Sequence, residues 1–293
     1  MNLRHLAFLV ALAREQHFGR AARTCHVTQP TLSEAIRGLE DSLGAPLVVR
    51  RAQRFESLTP EGLRVVDWAR RILADVASLR QSLGELRATL EGELRLGAIP
   101  TVEPLIATLT GAFADRHPAV TVSVQSLTAD EIVRGLAEHT LDAGFSYVTD
   151  APGGLRTYPL YAETYTLVGA PALLPARRSI TWARAAAYPL CLLTRDMQNR
   201  RLIDGHFAAA GARPEVLAES DSLLGVLSHV RSGRWCAILP RAVLPFVPGL
   251  RSLPLREPEI AHPVGLLVAA REPAGALARA LLEVARQVRL GET

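Results

Sequence analysis

FGRAARTCHVTQPTLSEAIRGLEDSL, residues Phe18 to Leu43, divides into a helix, a turn and a second helix. Phe18 to Thr24 is a short helical run with paired alanines, Ala21 and Ala22, where another backbone comes close. His26 and Val27 make the turn. Thr28 is suited to cap the next helix, because its hydroxyl can accept from a free amide in the first turn. Pro30 falls in that first turn, where a missing N–H costs little. From there Leu32, Ile36, Leu39 and Leu43 recur at steps of four, three and four, which predicts one buried stripe. The opposite side carries Pro30, Ser33, Glu34 and Arg37, with Gln29 at the leading end. A short helix that buries one stripe and shows small hydrogen-bonding residues near its N-terminus suits the major groove of DNA. Spacing alone leaves an ordinary helical hairpin in a core equally open.

A more detailed pattern decides between them. AAR, VTQPTLSEAIRGLEDSLGAPLVVR and, further on, LTPEG resemble the N-terminal domain of LysR-type transcriptional regulators. The likeness runs in register to the C-terminus, although its specific motifs lie in the first sixty or so residues. It implies an α+β multidomain chain. A winged helix-turn-helix, all-α with a small wing, occupies 1–58. A linker helix that makes a homodimer spans 59–91. A C-terminal α/β effector domain spans 92–293, built from two Rossmann-like subdomains like the type 2 periplasmic-binding proteins. The first subdomain is placed at 93–162 plus 267–293, the second at 163–266.

Composition sets the outer bounds. A chain of 293 residues suits two or three domains. With 48% hydrophobic residues and mean hydropathy +0.15 it can bury substantial cores. No apolar run is long enough for a bilayer, so no membrane partner is expected. Leu6 to Ala13 is followed by Arg14 and Glu15 with no small-residue cleavage site, so no signal peptide is read and a cytoplasmic protein is expected. All 33 basic residues are arginine. Without lysine the chain can be neither a P-loop nucleotidase nor a Schiff-base enzyme. A net charge of +4 does not argue for nucleic acid by itself. Cys25, Cys191 and Cys236 form no CxxC pair and no zinc-spaced His/Cys cluster, so buried free thiols and no metal or cofactor are expected.

Met1 to Glu15 reads as a first helix, with Leu3, Leu6, Leu9, Val10 and Ala13 facing inward. Gly19 stands at a helix start where family members often carry serine, which implies a lost side-chain cap. Gly44 closes the recognition helix. Leu47–Val49 and Phe55–Leu58 read as two short strands around Arg50, Arg51 and Arg54, a basic wing. Thr59-Pro60 repeats the start signal of cap then proline, opening a long helix. In it Ile72, Val76, Leu79, Leu83, Leu86 and Leu90 alternate steps of four and three, the spacing of a coiled-coil seam. After Gly92 strands alternate with helices. Strands are expected at Glu93–Ile99, Thr121–Gln125, Ala143–Tyr147, Tyr165–Gly169, Leu190–Leu193, Val216–Glu219, Cys236–Leu239 and Val264–Ala270. Helices are expected near Val102–Asp115, Asp130–His139, Asn199–Ala210, Leu223–Arg231 and Ala274–Arg289. That order predicts open sheets covered on both faces.

Ligands of open α/β sheets sit beyond the carboxyl ends of strands, where helix N-termini converge and favour an anion or carboxylate. Pro100, Thr101 and Val102, Thr128, and Ser222 each follow a strand at such an end, and the resemblance places the family's effector cleft there. Tyr147, at the end of its strand, and Arg195, Met197 and Gln198 complete the expected lining. A Thr or Ser at a helix start is also an ordinary cap, and Arg195 can pair with Asp196, so each assignment has a structural rival. On DNA, Gln29, Thr31 and Ser33 are expected at base edges or nearby phosphates, beside Thr28 and Pro30. Arg37, Arg50, Arg51 and Arg54 are expected on phosphates. Glu34 can accept from a cytosine amino group, but an i, i+3 pair with Arg37 is preferred.

Rival functions are weaker. No HExxH, GxSxG or dinucleotide Gly-rich turn is present, so no enzyme is expected. A stand-alone solute-binding protein would need a signal peptide. A redox-responsive regulator of the same family is the closest alternative, but peroxide sensors in it carry a cysteine pair after the strand at Leu190–Leu193, and Thr194 to Gly211 has none. The reading is a bacterial regulator that binds an interrupted palindrome of double-stranded DNA as a dimer or, as the family mostly does, a homotetramer. A small-molecule co-inducer would alter subdomain closure or dimer packing.

Overall fold

A computed structural model describes residues 2–51, 54–85, 90–149, 151–270, 274–288 and 290, with backbone only at 54 and 81–85. The chain forms two compact units, Met1–Ala88 with Glu138–Thr140, and Thr89–Ala137 with Leu141–Thr293.

In the first unit, α1 (Leu3–Glu15) starts on Asn2, whose side chain accepts from the Arg4 amide at 3.0 Å. Helix α2 (Phe18–Thr24) follows, and α3 (Gln29–Leu43) begins at Thr28, whose Oγ1 accepts from the Thr31 amide at 3.3 Å. Gly44 at φ 68° ends α3 in the left-handed conformation. The wing is the antiparallel pair β1 (Val48–Arg51) and β2 (Arg54–Leu58), whose tip at 52–53 lies outside the described residues. Helix α4 (Pro60–Glu85) is opened by Thr59, whose Oγ1 accepts from the Gly62 amide at 2.9 Å and donates to the Pro46 carbonyl at 2.7 Å. A Cβ at Gly62 would overlap the Leu47 carbonyl, so the glycine is what lets α4 lie against the root of the wing. The core joins Leu6, Leu9, Leu12, Ala21, Ala22, Leu32, Ile36, Leu39, Leu47, Val66 and Ala69.

Several side chains depart from the expected pattern. In α1 the buried face starts at Leu6 and takes in Phe8, Leu9 and Leu12, while Leu3, in the first turn, is 41% exposed. In α3 the stripe stops at Leu39, and Leu43, in the last turn beside Gly44, is 41% exposed. Gly19 is not the cap of α2. That role falls to His17, whose Nδ1 accepts from the amides of Gly19 at 3.0 Å and Arg20 at 3.3 Å, so no cap is lost. Along α4, Ile72 and Leu73 rest on the core of this same unit, Leu79 is 62% exposed, and Leu90 lies beyond the helix in the core of the second unit. Ile72 and Leu90 are thus taken up by the cores of the two units, while exposed Leu79 is left free to meet another surface. The side chain of Leu83 and all of Leu86 lie outside the described residues.

The second unit runs β3 (Gly92–Ala98), α5 (Glu103–Arg116), β4 (Val120–Ser126), α6 (Ala129–Ala137), β5 (Ala143–Tyr147), β6 (Leu155–Gly169), β7 (Ile180–Thr181), α7 (Trp182–Ala185), β8 (Leu190–Leu193), α8 (Gln198–Ala209), β9 (Val216–Ser220), α9 (Leu223–Arg231), β10 (Ala237–Pro240), a 3-10 turn at Arg241–Phe246, β11 (Arg251–Arg256), β12 (Ala261–Ala269) and α10 (Ala276–Ala285). Among the described residues one sheet has the order β4-β3-β5-β12-β6-β11-β7, with β10 also on β6. Strands β3, β4 and β5 are parallel, and β12 is antiparallel to both β5 and β6. Strands β8 and β9 form a parallel pair, tied to the main sheet through Leu190 and Cys236.

The expected strand Tyr165–Gly169 is only the second half of β6. Its first half, Leu155–Thr164, pairs with β12, and its second half lies between β10 and β11. Strand β6 is thus shared by the two subdomains, and the expected boundaries at 162/163 and 266/267 fall inside β6 and β12 respectively. Strands β7 and β11, helix α7 and the 3-10 turn were not anticipated. The core of the first subdomain packs α5, α6 and α10 on the sheet through Leu94, Leu96, Ile106, Leu109, Phe113, Phe145 and Leu281. The second subdomain has one apolar cluster around Leu167, Trp182 and Phe207 and another around Val168, Leu193 and Val226. Adjacent β6 residues supply the two clusters, as alternation along a strand requires.

Candidate DNA interface and effector cleft

The first surface is built by burying Leu32, Ile36 and Leu39, which turns the rest of α3 to solvent. Thr28, Gln29, Pro30, Thr31, Glu34 and Arg37 are exposed and Ser33 is half-buried. The Thr28 and Thr31 hydroxyls are 2.8 Å apart, which holds both at the leading end of the helix. Among the described residues no ion pair joins Glu34 to Arg37, so the preferred i, i+3 pairing is not formed and both side chains face outward.

The wing arginines differ. Arg51 is exposed, whereas Arg50 lies against Glu40 of α3, with Nη2 2.9 Å from Oε2 and its guanidinium 5.8 Å from the Phe18 ring centroid. Glu40 Oε1 also accepts from the amides of Leu47 at 2.9 Å and Val48 at 3.1 Å. One carboxylate therefore fastens the recognition helix to the start of the wing. The side chain of Arg54 lies outside the described residues.

The second site lies where the parallel strands end. The turns after β3, β4 and β5 share one edge of the sheet, and those after β8 and β9 share another. Pro100, Thr101 and Val102 are buried, and the Thr101 hydroxyl has no hydrogen-bond partner. Helix α5 has no side-chain cap, so the Thr101 hydroxyl is not engaged there. Thr128 and Ser222 are engaged as caps. Thr128 donates through its hydroxyl and amide to Glu131 Oε2, both at 2.9 Å, and Glu131 is held below the usual carboxylate range, first by the backbone bond and then by the hydroxyl. Ser222 Oγ accepts from the Gly225 amide at 3.1 Å. Arg195 is exposed and lies 3.7 Å from Glu219 rather than on Asp196. Met197 is buried and Gln198 half-buried at the start of α8.

Sequence reasoning missed the polar centre beside this edge. Glu163 on β6 is 1% exposed. The Tyr147 hydroxyl donates to its Oε1, and Asn199 Nδ2 donates to Tyr147 Oη at 3.1 Å and reaches Glu163 Oε1 at 3.4 Å. Burial outweighs these bonds and pushes the Glu163 carboxyl up to about 7. Nearby, His206 Nε2 lies 2.8 Å from His262 Nε2, and burial, then the second ring, pushes His206 down to about 4. The signal in the sequence was Tyr161, Glu163 and Tyr165 at period two, an acid between aromatics on one strand face. Arg200 was missed too. It is buried and donates to the Leu193 carbonyl at 2.9 Å, Glu219 at 2.8 Å and Asp204 at 2.9 Å, fixing the end of β8 to β9.

A winged helix-turn-helix followed by a two-subdomain α/β unit is the build of a ligand-responsive transcription regulator. The model of the LysR substrate binding domain matches residues 87–289, and that of the bacterial regulatory helix-turn-helix proteins of the lysR family matches residues 3–63. OxyR of Escherichia coli K12, a DNA-binding transcriptional dual regulator, is 30% identical over 283 residues, covering 91% of this chain and 89% of that protein. A full-length OxyR variant from Pseudomonas aeruginosa has a TM-score of 0.77 at 28% identity, covering 99% of this chain and 95% of that one. Full-length CbnR complexed with its target DNA shares the fold, with a TM-score of 0.70 at 24% identity over 98% of this chain and 99% of that one. The chain belongs to the LysR family of DNA-binding transcription regulators, which are not enzymes. Among the described residues no helix is long and apolar enough to cross a membrane.

Proposed function

We propose that this regulator, acting in the cytoplasm, binds an interrupted palindrome as a dimer joined through α4 and assembles further into a tetramer, and that it responds to a small anion or carboxylate in the cleft between its subdomains. Gln29, Thr31 and Ser33 read base edges or nearby phosphates, and Arg37 and Arg51 hold phosphates, while Arg50 acts through Glu40. Exposed Leu63, Trp68 and Leu79 on α4 support a helix that meets a second copy. The observation that carries the effector reading is the Thr101 hydroxyl, buried and without a partner at the start of α5, a place where helix amides favour an anion. A thermal-shift screen of the purified protein against small carboxylates, inorganic anions and neutral metabolites tests it. A carboxylate or anion hit lost in Thr101→Ala supports the reading. Stabilisation only by neutral or cationic compounds, unchanged in Thr101→Ala, overturns it.

Peroxide-inducible activators among the relatives favour a second reading, thiol oxidation. Cys25 is half-buried rather than buried as expected, but burial still raises its thiol, and the other two cysteines argue against oxidation more strongly. Cys191 and Cys236 are buried in different apolar clusters, and burial pushes Cys236 up to about 11, away from the reactive thiolate. DNA affinity is expected to be the same before and after peroxide treatment. A change abolished by Cys191→Ser or Cys236→Ser would restore the redox reading.

A further inference from the structure

Glu163 is held by groups from both subdomains. Tyr147 comes from β5 and Asn199 from α8, and both meet the same carboxylate oxygen. The second oxygen, Oε2, is buried without a hydrogen-bond partner. His262 of β12 stands directly opposite Glu163 in the register, and His206 of α8 lies on His262. Tyr161 and Tyr165 of β6 also face Glu163, and the Tyr165 hydroxyl, 3.3 Å from that of Tyr147, joins Tyr147 and Asn199 in favouring the ionised carboxyl. Trp182 of α7 packs against Tyr165 and His206, with ring centroids 6.0 and 5.0 Å apart. Among the described residues no ion pair joins an arginine to Glu163.

Either protonation state leaves Oε2 unsatisfied. Ionised, it carries buried charge without a donor; protonated, it is either a buried O–H without an acceptor or, with the proton on Oε1 toward Tyr147, a carbonyl oxygen without a donor. Only the ionised state makes the bonds from Tyr147 and Asn199 charge-assisted, and so shorter and stronger. We propose that Glu163 is a positioning residue of the effector cleft, whose proton decides how firmly Tyr147 and Asn199 are held together across the two subdomains. This rests on the cleft reading above, in which Tyr147 and the start of α8 line the effector site. Loss of the proton tightens the latch, and its uptake loosens it.

The test uses the full-length protein with Trp68→Phe and Trp235→Phe, so that Trp182 is the only indole. Its fluorescence is followed from pH 5.5 to 8.5, a range set to span the carboxyl's value of about 7. The expected result is a one-proton transition that Glu163→Gln abolishes and His206→Gln retains. Tyr147→Phe and Asn199→Leu each remove a donor to the carboxylate and should move the midpoint upward, a response that a purely structural role would not give. A transition that survives Glu163→Gln, that disappears in His206→Gln, or whose midpoint ignores both donor variants overturns the proposal, as does no transition in the parent. The titration needs no effector, so an empty result in the anion screen and an empty result here are separate failures.

Discussion

Replacing Glu40 with alanine tests how the wing is held to the recognition helix. The carboxylate side chain is 10% exposed and accepts from two backbone amides and from Arg50. Removing it leaves the Leu47 and Val48 amides and the Arg50 guanidinium without that acceptor. Each unsatisfied buried group costs about 1–3 kcal/mol, and water entering the space recovers part, so a loss of roughly 3 kcal/mol is expected for Glu40→Ala. Glu40→Gln, which keeps an accepting oxygen, should lose roughly 1 kcal/mol. Hydrogen exchange at the Leu47 and Val48 amides reads the local effect directly, which suits a chain with more than one unit. Contacts to DNA are read from salt dependence. Arg51→Ala should lower the slope of log affinity against log salt by about 1, whereas Arg50→Met should leave it unchanged because that charge is already paired. Unaltered exchange in Glu40→Ala, together with a slope lowered by about 1 in Arg50→Met, would refute the clamp and return Arg50 to the DNA surface.

Gly62→Ala should destabilise the first unit by about 1–3 kcal/mol or more, since its Cβ would overlap the Leu47 carbonyl; a melting temperature equal to the parent's would show that α4 can shift aside. Stability against pH carries a second test. Glu163 is raised from 4.5 to about 7, so its contribution is fully present below pH 4.5 and is lost as pH rises to about 7, by roughly 3 kcal/mol at most. His206 is lowered from 6.5 to about 4, so its contribution is present above pH 6.5 and is lost as pH falls through about 4. The two oppose each other over the shared window and flatten the profile, and Glu163→Gln should unmask a rise in stability between about pH 4 and 6.5. A Glu163→Gln profile parallel to the parent's would contradict the burial argument.

Reading the residues in order settles the elements whose causes are local. Thr28 with Pro30, Thr59 with Pro60, and Gly44 mark helix ends through groups within a few residues, and α3, β5, β8 and α9 fall where the pattern placed them. Resemblance supplied the family, and the solvent-facing side of α3 followed from the stripe of Leu32, Ile36 and Leu39. Partners distant in the chain settle the rest. The first half of β6 carries Pro159 and alternating polar residues, and it is a strand because β12, about a hundred residues later, pairs with it. Whether Thr101, Thr128 and Ser222 are caps or open hydroxyls depended on what each one touches. Arg50 looked like its neighbour Arg51 until Glu40 was placed beside it. Glu163 is an ordinary acid in the sequence and a buried one in the fold, because the groups that remove its water come from β5, α8 and β12. Local rules reach along the chain by a turn or two, whereas desolvation is set by whatever packs around a group in three dimensions.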